Sequence, residues 1–67
     1  MSMSSVGEQI QVEIKRNQEL KKMYDDIPTG FIGASLIQQD IDDAVKALAE
    51  GDIIKILLAY EKLKNNE

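Results

Sequence analysis

The 67-residue chain has no cysteine, no histidine and no tryptophan. Without cysteine no disulfide can close, and without either Cys or His neither a Cys/His zinc site nor thiol or imidazole chemistry can be built. A Ser-His or Cys-His nucleophile pair is excluded on the same ground, and no GxxxxGK[ST] phosphate loop occurs. These absences argue against an enzyme and predict no cofactor. Proline occurs once and glycine four times, which with a hydrophobic fraction of 43% speaks against disorder. No apolar run approaches the roughly 20 residues of a membrane span. The first residues lack the basic-then-apolar pattern of a signal peptide, so the expected location is cytoplasmic.

Charge of one sign also dominates. The net charge is −4, concentrated in residues 29–51, where Asp40, Asp42, Asp43 and Glu50 face Lys46 alone. A chain without a positive face is poorly suited to neutralise phosphates, so neither DNA nor RNA is expected as a partner, nor an anionic membrane. The aspartates do not form a calcium loop, because that loop needs alternating ligands and a glycine outside a helix. No metal site is predicted.

What the chain does contain is helical periodicity. Ala34, Ile37, Ile41, Ala44, Val45 and Leu48 recur at spacings of three and four, as do Ile53, Ile56, Leu57, Tyr60 and Leu63. Between the two stripes lies Glu50-Gly51-Asp52. Glycine suits the left-handed residue after a helix, and aspartate suits the cap of the next one, so an αα-hairpin is expected there. Upstream, Val6, Ile10, Ile14, Leu20, Tyr24 and Ile27 trace a third stripe. Ser5-Val6-Gly7-Glu8 has the form of a capping box after a loose Met1–Ser4 end, and Pro28 holds Ile27 extended and ends the helix. The prediction is one all-α domain over 1–67, a three-helix chain with a long N-terminal helix (about 6–26) followed by the hairpin (31–50 and 53–64).

Two features go beyond a plain bundle. Ile54 and Leu58 lie nearly opposite the main stripe of the third helix, and Ile32 and Leu36 lie off that of the second. With Phe31 at the start of the second helix they form a candidate interface. A chain this small buries only about 60% of its unfolded surface. Homo-oligomerisation is therefore expected to complete the fold, since disulfides and metals are unavailable to it. The second feature is polar. Glu13 and Asn17 fall inside the stripe of the first helix and Arg16 lies at its edge. Either this half of the helix is solvated, with Asn17 fixing register at a helix–helix contact, or the three form a polar ligand pocket. Lys15, Arg16, Lys21 and Lys22 point in different directions, as on a solvated face. Thr29 is a plausible cap for the second helix. The turn at Thr29-Gly30 leaves backbone amides that can receive an anion. A nucleotide site between subunits would combine these amides with Arg16 or Lys21 and with stacking on Tyr24.

Leu48, Gly51-Asp52 and Ala59-Tyr60 resemble part of one tetratricopeptide unit. The likeness covers about a third of the chain, and no second copy follows at the repeat spacing of about 34 residues. Over most of its length the chain resembles the small helical proteins encoded by phages and prophages. The likeness is carried by Glu13-Ile14 with Arg16, by Ile27-Pro28-Thr29-Gly30 through Gly33-Ala34, by Ala47-Leu48 with Gly51-Asp52, and by Ala59-Tyr60-Glu61 with Leu63. It implies a cytoplasmic accessory protein made in a bacterial host, of a kind that blocks a host defence protein, sequesters a signalling nucleotide or adapts a host enzyme. Three roles are expected for the chain: an oligomeric binder that inhibits a host defence protein, a sponge that sequesters a signalling nucleotide at a subunit interface, or, apart from the resemblance, a structural assembly subunit.

Overall fold

The computed structural model describes the backbone of residues 3–67 and the side chains from Val6 onward. Three helices follow one another: α1 (Met3–Asp25), α2 (Phe31–Glu50) and α3 (Ile53–Asn65), with no strand among the described residues. Each helix packs on the other two. The molecule is elongated, 41 by 16 by 16 Å.

Helix α1 starts at Met3, so the backbone of Ser5 lies within the helix and not at its cap. The Ser5 side chain, on which the capping box rests, and residues Met1 and Ser2 of the expected loose end lie outside the described residues. At the other end the chain leaves the helix at Asp25, before Pro28, and turns through a Gly30 N–H bond to the Ile27 carbonyl at 2.8 Å. The cap of α2 is Gly30, with no side-chain bond to the helix start, so Thr29 does not cap it. Glycine is required at 30 by a close approach: a Cβ there would lie 2.1 Å from the Tyr24 carbonyl oxygen. The α2–α3 junction has the geometry the sequence suggests. Gly51 is left-handed, with φ 69°, and its N–H reaches the Ala47 and Leu48 carbonyls. An Asp52 carboxylate oxygen accepts from the Ile54 and Lys55 amides at 3.1 and 3.2 Å.

The core consists of Ile10, Ile37, Ile41, Ala44, Ala47, Ile56, Ala59 and Leu63, with Val6, Ile14, Leu20, Tyr24, Leu48 and Tyr60 packed on its margin. Four residues of the expected stripes are exposed instead of packed. Val45 is 52% exposed, and Ile27, Ile53 and Leu57 are exposed as well. The reason lies in Ala44, Ala47 and Ala59. Their small side chains line the α2–α3 contact, so α3 settles on the alanine side of α2 and turns Val45 outward. Leu57 turns away in the same manner, because Ile56 and Ala59 take the inner side.

Helix length accounts for more of the exposure. At 1.5 Å per residue, α3 with its 13 residues is about 20 Å long and α2 with its 20 is about 30 Å. Helix α3 therefore covers only the C-terminal part of α2, and Ile32 and Leu36 lie near or beyond its end.

Candidate functional site

The polar residues of α1 come together at the C-terminus of α3. The last carbonyls of a helix have no partner within it and form the negative end of its dipole. Here α1 supplies the donors. The Arg16 guanidinium donates to the Leu63 carbonyl at 2.7 Å, to that of Asn66 at 3.0 Å and to that of Lys64 at 3.4 Å. Glu13, one turn before, holds the guanidinium by its Nε at 3.2 Å. Asn17 is fully buried. Its amide nitrogen donates to the carbonyls of Glu13 (2.8 Å) and Leu63 (3.0 Å), and its oxygen accepts from the Asn66 amide at 2.9 Å. Asn66 also donates to an Asp40 carboxylate oxygen at 3.0 Å, which ties in α2. The Tyr24 hydroxyl donates to the Glu67 carbonyl at 2.7 Å. One network thus fixes all three helices at the end of α3. No buried side-chain polar atom among the described residues lacks a partner.

Of the proposed ligand residues, Glu13, Arg16 and Asn17 are together, but as a helix cap. Lys21 pairs with Asp25 at 3.0 Å. Tyr24 lays its ring against Gly33, where a Cβ would come within 2.8 Å of it. Thr29 is exposed, and the Gly30 amide is spent on Ile27. A small groove of about 200 Å³ does run beside Tyr24, Gly33 and Leu36, bounded by Asn65–Glu67. Of its polar groups, the Tyr24 hydroxyl and the Asn66 amide belong to the cap. Sequence reasoning did not foresee Asp40 or Asn66 in this network. Asn66 close to the chain end, after a helix rich in late lysines, was the available sign.

The five interface candidates, Phe31, Ile32, Leu36, Ile54 and Leu58, are all at least 60% exposed. Leu36 borders the groove beside the α3 tail, and Leu58 lines a groove of about 250 Å³ between α2 and α3, together with Asp43 and Lys62. Phe31 borders a third depression, of about 400 Å³, toward Lys21 and Asp25 of α1.

The groove with Leu58 carries ordered charge. Asp43, Lys46 and Glu50 come from α2, and Lys55 and Lys62 from α3. Lys55 pairs with Glu50 at 2.9 Å and Lys62 with Asp43 at 4.0 Å. The hydrogen bond and charge of Glu50 raise the Lys55 ammonium above its ordinary value. Ala47 and Ala59, both buried, form the floor. Among the described residues no group of His, Cys, Asp and Glu is placed to hold a metal ion, and no helix is long and apolar enough to cross a membrane. Compared with protein-family models, curated proteins and solved structures, the chain has no match.

Proposed function

We propose that the chain is a small, non-catalytic binding protein that self-associates and binds a protein of its bacterial host, as a phage-type accessory factor acting in the host cytoplasm against a defence protein. The observation that carries the binding role is the distribution of large apolar side chains. Among the described residues eleven are exposed, while only Ile10, Ile37, Ile41, Ile56 and Leu63 are buried. Such an excess belongs to a protein whose surface is covered when it works. The acidic groups of α2 favour a target with a basic patch, which they would steer into contact. The choice of a host target rests on the phage resemblance of the sequence.

Sequestration of a nucleotide is the weaker reading. The Arg16 cation it needs is committed to the α3 carbonyls, and Lys21 to Asp25.

The test combines hydrodynamics with capture. Sedimentation velocity of the parent is expected to give an oligomer, and Leu58→Glu a smaller species. The immobilised parent is expected to retain a discrete protein from bacterial lysate. A parent that stays monomeric and retains nothing overturns the proposal. Native mass spectrometry showing a bound mass of a few hundred daltons would replace it with the sponge.

A further inference from the structure

We infer that the groove between α2 and α3 seats a second copy of this chain, related by a twofold axis running along the groove. The inference rests on the self-association proposed above and specifies its geometry. Asp43 and Glu50 on α2 are seven residues apart, as are Lys55 and Lys62 on α3. Seven residues span two turns, or about 10.5 Å, so the acidic row and the basic row have the same repeat. The contacts Lys55–Glu50 and Lys62–Asp43 show that the rows are also level with each other.

Closed dimers use the same patch on both subunits, so a twofold axis in the plane of the interface has two simple settings here. An axis across the groove would lay α2 on its own copy in reverse, Asp43 opposite Glu50 and Lys55 opposite Lys62, with like charges in contact. An axis along the groove keeps every level and lays α2 on the copy's α3. Asp43 then meets Lys62, and Glu50 meets Lys55, on both sides of the axis. Each ion pair within a chain becomes part of a square of alternating charge. Charge thus selects the second setting.

The apolar residues agree with it. Leu58 stands 60% exposed between the levels of Lys55 and Lys62. In the level-keeping dimer it faces the copy's α2 at the level of Lys46 and Ala47. There Ala47 leaves room, and the methylene stem of Lys46 can lie along the leucine with its ammonium in water. Lys46 is the one cation in the acidic row, and this placement gives it a neutral neighbour.

The experiment inverts the rows. Asp43→Lys with Glu50→Lys makes both rows basic; Lys55→Glu with Lys62→Glu makes both acidic. Each double variant alone is expected to lose the dimer, and an equimolar mixture is expected to give a hybrid dimer by native mass spectrometry. The fourfold variant restores the pairs within the chain with reversed sign, which keeps the test open if a double variant fails to fold. It is expected to dimerise with itself and to lose nearly all pairing with the parent. Free hybrid formation between fourfold variant and parent, or a fourfold variant that is folded and monomeric, overturns the groove geometry. If Leu58→Glu still breaks the parent dimer in that case, self-association through α3 survives. A monomeric parent removes both and leaves the groove to a different protein.

Discussion

Asn17 offers the sharpest stability test, because its role can be worked out bond by bond. In Asn17→Ala the side chain loses two bonds that cross between helices, to the Leu63 carbonyl and from the Asn66 amide. Each is worth about 1 kcal/mol net, and the space left in a fully buried site adds about 1 kcal/mol. No partner is orphaned outright. Leu63 keeps Arg16 and its bond from the Asn66 backbone, and the Asn66 side chain keeps Asp40. The expected loss is therefore about 2–4 kcal/mol, a large share of the roughly 3–10 kcal/mol that about 0.05–0.15 kcal/mol per residue allows such a chain. Asn66→Ala acts differently. It leaves the buried Asn17 oxygen without a donor, at about 1–3 kcal/mol. The double variant removes that orphan, so it should be more stable than the sum of the singles implies, by at least about 1 kcal/mol. Urea unfolding followed by circular dichroism, at one fixed protein concentration because association contributes to stability, measures all four corners of the cycle. Two singles that each cost less than about 0.5 kcal/mol and add without coupling would refute the cap as the lock between α1 and α3.

Three further perturbations test the rest of the fold. Ile56→Ala should cost about 2–5 kcal/mol as a core truncation, and a loss well under 1 kcal/mol would put Ile56 at the surface. Gly30→Ala forces a Cβ onto the Tyr24 carbonyl and should cost about 1–3 kcal/mol by overpacking; a melting temperature equal to the parent's would show that the loop does not pass so close. Glu50→Gln tests the Lys55 pair. Because Glu50 raises the Lys55 ammonium above 10.5, the stabilisation is fully present below that pH and is lost as pH rises through the raised value. The gap in melting temperature between parent and Glu50→Gln should thus be small and constant near neutrality and close in the alkaline range. A gap that widens there would contradict the pairing.

The legible parts of this molecule are those with a local signal. Gly51 and Asp52 announce a helix end and a helix start because each acts on its own neighbours, and Pro28 acts on Ile27 alone. The outward set of Ile32, Leu36, Ile54 and Leu58 could be read from angle alone. Where a choice depended on a neighbour, the string was mute. Val45 and Ala47 are equally plausible inner residues of α2 until α3 takes its place against the alanines. Thr29 fits a cap until Gly30 is drawn beneath the Tyr24 carbonyl. Glu13, Arg16 and Asn17 read first as a solvated face or a register contact at Asn17, and second as a pocket, because nothing in their vicinity in sequence reveals that the carbonyls of residues 63–66 will end beside them.

Helix α3 connects the core to the surface. At 13 residues it is too short to be stable alone, so its helicity depends on tertiary contacts. Its start is fixed by Asp52 and its end by donors from α1, which leaves the middle to be held by Ile56, Ala59 and Leu63. Ala44, Ala47 and Ala59 are buried in one cluster, which has two consequences. It keeps the core small, since alanines contribute little apolar area. It also leaves the larger Leu58 on the outer side, 60% exposed. A larger residue at 47 or 59 would deepen the core and separate the helices, and the acidic and basic rows would move apart with them. The economy of the core and the apolar exposure of the surface are therefore one property of the same alanine contact, and the second copy proposed for the groove would cover Leu58.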